Sequence, residues 1–134
     1  MNTASIISLI MYLAPAYGID PYVATAVAYT ESSMNPKAIG GKGEVGLFQI
    51  MPNLFKARGF TAAQMKVPMN NITVGLDMLR EAKKNCIHKG ALSSLVCYNV
   101  GARNAKKIKY PMKFKYVKSV TKKVLELMAE EDPI

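Results

Sequence analysis

Glu31 is the residue whose type and position best suit acid–base chemistry. On a helix it shares one face with Val23 and Val27, which should point into the core. Burial there disfavours the ionised carboxylate and raises its pKa above the usual value of about 4.3, and the helix C-terminus acts in the same direction. A carboxyl that keeps its proton near neutral pH can act as a general acid. The spacing is also satisfied by a glutamate that reaches solvent or pairs with a lysine.

The elements that must position Glu31 are helical, and we predict an all-α fold with little or no sheet. Asp20 and Pro21 are a strong helix start, and Pro36 ends that helix after about Ser33. Four glycines in residues 34–46 predict a loop. Further helices are expected at about 6–16, 71–86, 91–98 and 113–129, the last burying Val117, Val120, Val124 and Leu127 or Met128, and Thr61 with Gln64 resembles a capping box.

Length and charge set the outer limits of function. At 134 residues the chain is expected to form one domain, residues 1–134, with a substantial core. The net charge is +9, and nine basic residues with no acidic one lie between Arg103 and Lys123. This segment suits an anionic wall polymer, a membrane surface or nucleic acid, and equally a solvated helix face. A short acidic tail follows at residues 130–132.

Cysteine and histidine patterns exclude several site classes. Cys86 and Cys97 are too few for a disulfide framework, and the sequence leaves open whether they form one bridge. His88 is the only histidine, and with two cysteines outside ligand spacing it does not predict a zinc site. We therefore expect no metal and no cofactor.

The apolar stretch at residues 6–16 resembles a signal peptide only superficially. It lacks a positive n-region and is interrupted by Pro15, and it is too short to span a bilayer. We expect a core helix there. Without a signal, export would need a phage particle, a secretion apparatus or lysis, and the chain could equally be a piece of a larger protein.

Several segments resemble, in family order, motifs of the soluble lytic transglycosylases, which share the goose-type lysozyme fold. The segments are residues 16–21 (AYGIDP), 31–38 (ESSMNPKA), 46–52 (GLFQIMP), 71–79 (NITVGLDML), 95–101 (LVCYNVG) and 116–120 (YVKSV). The resemblance covers nearly the whole chain and implies a lysozyme-like helical domain with a cleft.

The resemblance also implies roles for individual residues. Glu31 resembles the family's single catalytic acid/base, and Tyr98 the tyrosine whose hydroxyl contacts that carboxyl. The remaining residues resemble groups that line the cleft or bind the sugar: Ser32, Gln49, Met51, Asn99 and Tyr116. Ordinary structural roles fit the same residue types, such as a core methionine, a half-buried tyrosine, or an amide that bonds loop backbone.

Two positions in the glycine loop depart from the family pattern. A serine often lies nine residues after the glutamate, and here that position is Gly40, so the chain lacks that hydroxyl. Glu44 resembles a loop carboxylate of some goose-type lysozymes that handles the water. It is a possible second carboxylate, or else a solvated loop residue.

The activity implied by the resemblance is cleavage of the β-1,4 bond between N-acetylmuramic acid and N-acetylglucosamine, with a 1,6-anhydro product. The alternatives are a muramidase that hydrolyses the same bond with help from Glu44, and a non-catalytic basic protein that binds peptidoglycan or DNA. The implied partner is the peptidoglycan glycan strand, with no obligatory nucleic acid. The chain would act at the cell wall or periplasm, as a monomer or within a phage or secretion assembly.

Overall fold

The computed structural model describes residues 1–130, and this part of the chain is helical. Its α-helices are α1 (Thr3–Leu13), α2 (Pro21–Ser32), α3 (Pro52–Ala57), α4 (Ala62–Met65), α5 (Pro68–Asn85), α6 (Leu95–Val100), α7 (Ala102–Ala105) and α8 (Lys115–Glu130). Short 3-10 turns occupy Ala14–Tyr17 and Pro111–Lys113. The prediction of an all-α fold is confirmed, and the acidic tail beyond residue 130 lies outside the described residues.

Helix α2 is the central element of the core. The Asp20 side chain accepts hydrogen bonds from the backbone N–H groups of Tyr22 (2.8 Å) and Val23 (3.1 Å), which confirms the predicted cap. Residues 23–28 are all buried. Helices α1 and α8 both pack against α2. An element covered from two sides holds its side chains in fixed positions, and Glu31 lies near its C-terminal end.

The glycine loop between α2 and α3 is held by α5 rather than by a sheet. Two isolated bridges, Ile39 with Val45 and Val45 with Ile50, are its only ladder-like pairings in the described chain. The buried Asn71 accepts a hydrogen bond from the Phe48 N–H (2.8 Å) and donates to the carbonyls of Val45 and Met65 (both 2.9 Å). One amide thus satisfies three backbone groups that no sheet partner reaches.

A glycine on α5 allows the loop to pack closely against that helix. At Gly75 on α5, a Cβ would overlap the Phe48 ring. The missing side chain lets the buried Phe48 lie directly on the helix backbone. The loop after Val45 therefore reaches the core through Phe48 and is fixed there by Asn71.

Some helix boundaries and buried positions differ from the predictions. Residues 91–94 form turns, so α6 begins at Leu95 instead of 91. In α8, Leu127 is half-buried and packs on the core, whereas Met128 is 50% exposed. The capping box at Thr61 is confirmed and begins α4. No helix within residues 1–130 has the length and apolarity needed to cross a membrane.

Replacing Asn71 with Ala should destabilise the fold by about 2–3 kcal/mol, because it leaves buried backbone groups without partners. Thermal or urea unfolding measures this change. Asn70→Ala is the matched control, since the Asn70 amide makes one exposed hydrogen bond, to the Gln64 carbonyl. Equal losses in the two variants would contradict the anchoring role of Asn71.

Candidate active site

Glu31 lies where the backbone changes direction sharply. Helix α2 ends one residue later, and Ser33 (φ 54°) and Met34 (φ 63°) both adopt the left-handed conformation. Gln49 (φ 51°) is the third non-glycine residue with this conformation in residues 1–130. Such residues cost about 1–3 kcal/mol each and persist where the surrounding structure holds them. All three flank the same carboxyl or its cleft, so the local strain is concentrated at one place.

The Glu31 carboxyl has one hydrogen-bond partner from a distant part of the chain. The Tyr116 hydroxyl, on α8, donates to Glu31 Oε2 at 2.8 Å. The packing of α8 on α2 therefore fixes the orientation of the carboxyl. Burial and the negative charge of Glu31 both raise the pKa of Tyr116, so its hydroxyl stays protonated and available as a donor.

The surroundings keep the Glu31 carboxyl neutral to a higher pH than usual. Burial raises its pKa from 4.5 to about 7, and the nearby negative charge of Glu44 adds to the increase. The hydrogen bond from Tyr116 opposes both by favouring the ionised form. Near neutral pH the Glu31 carboxyl is therefore present in both protonation states. A group that first donates a proton and later accepts one needs both states to be accessible.

The loop opposite Glu31 presents Gln49 in a fixed orientation. Gln49 Nε2 donates to the carbonyls of Ala38 (3.1 Å) and Gly46 (2.9 Å), which uses both of its hydrogens. Its Oε1 takes no part in these two bonds. The Tyr98 hydroxyl donates to the Phe48 carbonyl at 3.1 Å, which ties α6 to the same loop.

These side chains surround an open cleft of about 580 Å³. It is lined by Glu31, Lys42, Glu44, Phe48, Gln49, Met51, Leu54, Met78, Tyr98, Asn99, Val100 and Asn104. An adjoining groove of about 400 Å³ shares Met51 and Tyr98 with the cleft and extends to the Cys86–Cys97 disulfide. A long open groove of mixed polarity suits an extended polymer rather than a small enclosed ligand.

The disulfide supports the cleft wall. It joins Cys86, directly after α5, to Cys97 on α6 and closes the short intervening segment. Tyr98 follows Cys97 in the sequence, so the bond limits how far that side chain can move from the cleft. The sequence left open whether Cys86 and Cys97 form a bridge. They do, and the described residues contain no free cysteine.

A family model for the transglycosylase SLT domain matches residues 8–120. The chain belongs to this family. The transglycosylase of Enterobacteria phage PRD1 is 38% identical over 90 residues, which are 66% of this chain and 32% of the phage protein. The membrane-bound lytic murein transglycosylase C of Mannheimia succiniciproducens is 34% identical over 82 residues, 54% of this chain and 23% of that protein.

A solved structure supports the fold. The 70 kDa soluble lytic transglycosylase of Escherichia coli matches with a TM-score of 0.65 and 23% identity, covering 82% of this chain and 22% of that one. This chain thus spans about a third or less of these SLT-domain relatives and of the solved neighbour.

The structure brings most of the predicted site residues of the SLT domain into one cleft. Those that line it are Glu31, Glu44, Gln49, Met51, Tyr98 and Asn99. Ser32 does not line it, because its hydroxyl donates back to the Ala28 carbonyl at 3.1 Å. Tyr116 is not among the lining residues either, and its hydroxyl bonds the Glu31 carboxyl.

One predicted contact is wrong. The resemblance assigns the hydroxyl contact with Glu31 to Tyr98, but the structure gives that contact to Tyr116, while the Tyr98 hydroxyl bonds the Phe48 carbonyl. The cause is the packing of α8 on α2, which brings the Tyr116 hydroxyl to the carboxyl.

Sequence reasoning missed several cleft residues. Lys42 lies in the glycine loop two residues before Glu44, and Asn104 lies on α7, a four-residue helix that no sequence pattern predicted. Met78 faces the cleft from α5, one residue before the buried Leu79. His88 lies elsewhere, with Nε2 3.0 Å from the Ala105 carbonyl, and no metal-ligand cluster occurs in residues 1–130.

The two neighbours of the Glu31 carboxyl should shift its pKa in opposite directions. Tyr116→Phe removes the bond that favours ionisation, so the pKa should rise above about 7, by about 1 unit for one lost hydrogen bond. Glu44→Gln removes a repelling charge, so the pKa should fall. Carbon-13 NMR titration of the labelled carboxyl measures both.

Tyr110→Phe serves as the control for the tyrosine change, since Tyr110 is 59% exposed. Shifts of the same sign in Tyr116→Phe and Glu44→Gln would refute this account of the electrostatics.

Proposed function

We propose that the chain is a peptidoglycan lytic transglycosylase, which cleaves the β-1,4 bond between N-acetylmuramic acid and N-acetylglucosamine and leaves a 1,6-anhydro end. The observation that carries the proposal is a half-buried carboxyl, Glu31, with a pKa near 7 in an open cleft of an SLT domain. The names of two relatives, a transglycosylase and a lytic murein transglycosylase, support the same activity.

Glu31 would begin the reaction as a general acid. Its carboxyl proton goes to the glycosidic oxygen, the bond from that oxygen to C1 breaks, and the sugar becomes oxocarbenium-like. Tyr116 contributes by donating to Oε2, which holds the carboxyl in one orientation and stabilises the carboxylate that forms.

Glu31 would then act as the base. The carboxylate takes the proton of the C6 hydroxyl of the same sugar, and that oxygen bonds to C1, which gives the 1,6-anhydro ring and restores the starting carboxyl. The nucleophile is internal, so water is not consumed. One carboxyl is enough for this sequence of steps, whereas hydrolases usually need a pair.

A muramidase activity is the second candidate, because Glu44 is a carboxylate in the same cleft. Its charge already affects the pKa of Glu31, which places it within electrostatic reach. In this alternative Glu44 orients a water molecule that replaces the C6 hydroxyl, and the product keeps a reducing end.

Glu31→Gln should lower the release of soluble muropeptides by at least about 100-fold while the fold is retained, because the amide cannot donate the required proton. Mass spectrometry of products from purified peptidoglycan measures this loss. Glu126→Gln is the matched control, an exposed glutamate on α8.

The same spectra identify the reaction. In the unchanged chain, products one water lighter than the hydrolysis products support the transglycosylase. Reducing ends would support the muramidase. Undiminished activity in a folded Glu31→Gln variant would refute both proposals.

We further propose that a basic segment holds the domain against an anionic wall polymer. Within residues 103–123 its exposed members are Arg103, Lys106, Lys107, Lys109, Lys113, Lys115, Lys118 and Lys122. The ion pairs within residues 1–130 include none of these cations. The site of action would then be the cell wall, reached within a phage or secretion assembly or as a free monomer.

Changing Lys106, Lys107 and Lys109 together to Gln should weaken retention on insoluble sacculi and reduce the loss of binding at high salt, because fewer charges contribute. Co-sedimentation across a salt series measures both effects. Changing Lys56, Lys66 and Lys84 to Gln removes the same number of exposed charges outside the segment. Equal effects of the two sets would show that net charge alone is responsible.

A further inference from the structure

Gly40 has no conformational need to be glycine. Its φ lies outside the left-handed region that Gly43 (φ 83°) and Gly46 (φ 80°) occupy in the same loop. The same is true of its neighbour Gly41. What distinguishes Gly40 from Gly41 is therefore the space around it.

Two side-chain oxygens occupy the place where a side chain at position 40 would begin. A Cβ on Gly40 would lie 2.7 Å from Gln49 Oε1 and 2.8 Å from Glu44 Oε1, closer than carbon and oxygen can approach. A Cβ on Gly41 would meet nothing within 4 Å. The missing side chain at position 40 thus lets both oxygens lie against the backbone.

Local hydrogen bonds hold these oxygens in position. Glu44 Oε1 accepts from the Lys42 N–H at 2.6 Å, and the loop is closed by Gly40 N–H donating to the Glu44 carbonyl at 2.8 Å. The Gln49 amide hydrogens are used by the Ala38 and Gly46 carbonyls, so Oε1 remains an acceptor. Each oxygen has capacity for a further donor.

Other polar side chains line the same cleft as Glu44 Oε1 and Gln49 Oε1 and determine which ligand the two oxygens could bind. Glu31 and Lys42 line the same cleft, as does Tyr98, whose hydroxyl is already engaged by the Phe48 carbonyl. Two converging acceptors beside a proton-donating carboxyl suit a ligand rich in O–H and N–H groups, as an N-acetylated sugar is.

We propose that Gly40 is a positioning residue that keeps the Glu44 carboxylate and the Gln49 amide oxygen together, and that this pair forms a subsite for the hydroxyl or amide N–H groups of an amino sugar. The identity of the sugar rests on the proposed function. The positioning itself does not, because it depends only on the space at position 40.

The test compares Gly40→Ala with Gly41→Ala. The atoms that the new methyl group would meet are the ends of flexible side chains, so Gly40→Ala should fold and displace them. The Glu31 titration midpoint should then shift, because the Glu44 charge that contributes to it moves, and Gly41→Ala should leave the midpoint unchanged. In a Glu44→Gln background, Gly40→Ala should produce little further shift.

Binding is measured separately, with tri-N-acetylchitotriose as the probe in an NMR titration. Gly40→Ala should weaken binding about tenfold, as expected for one lost hydrogen bond to a charged group, with Gly41→Ala near the unchanged chain. On peptidoglycan fragments, KM should rise more than kcat falls.

Several results would overturn the proposal: equal midpoints in Gly40→Ala and the unchanged chain, equal shifts in the two glycine variants, or a shift that persists in full without the Glu44 charge. Loss of the native melting transition in Gly40→Ala would also overturn it, because the backbone and not the two side chains would then lack room. If the unchanged chain neither binds the probe nor cleaves peptidoglycan, the proposed function fails, while the titrations still decide the role of Gly40.

Discussion

The site depends on partly burying a carboxyl without forcing it to remain neutral. Burial of Glu31 favours the protonated form, and the single hydrogen bond from Tyr116 favours the ionised form. The two effects come from different parts of the chain, since Glu31 is on α2 and Tyr116 is 85 residues later on α8. The packing of α8 on α2 is therefore an electrostatic requirement of the site as well as a contribution to the core.

The raised pKa of Glu31 also makes the fold less stable near neutral pH than at acid pH. A pKa raised from 4.5 to about 7 means that the folded state binds the proton more tightly than the unfolded state. The resulting stabilisation is complete below pH 4.5 and is lost as the pH rises through 7. The loss is at most about 3.5 kcal/mol, at about 1.4 kcal/mol for each pKa unit. The left-handed Ser33 and Met34 add local strain at the same helix end.

Local signals in the sequence predicted the helical class, the cap at Asp20, the capping box at Thr61 and the stripe that ends at Glu31, because each depends on neighbours a few residues apart. Contacts between distant segments were beyond such signals. The carboxyl bonds Tyr116 and not the predicted Tyr98, because α8 packs on α2 in a way that local signals do not specify. Lys42 and Asn104 reach the cleft through a loop and a four-residue helix, for which periodicity gives no signal.

In the proposed reaction, the product depends on which oxygen reaches C1 of the oxocarbenium-like sugar first. Glu31 would accept a proton from a C6 hydroxyl or from water equally well, so the acid itself would not select the product. The cleft is open, which gives water access, and Glu44 is the second carboxylate that lines it, so Glu44 is the group that would orient a water molecule in the proposed hydrolysis. The position of Glu44 depends in turn on an absent side chain at Gly40, since a Cβ there would overlap its carboxylate. Under the proposed function, the glycine loop would therefore decide between ring closure and hydrolysis, and Glu31, which would break the bond in either case, would not.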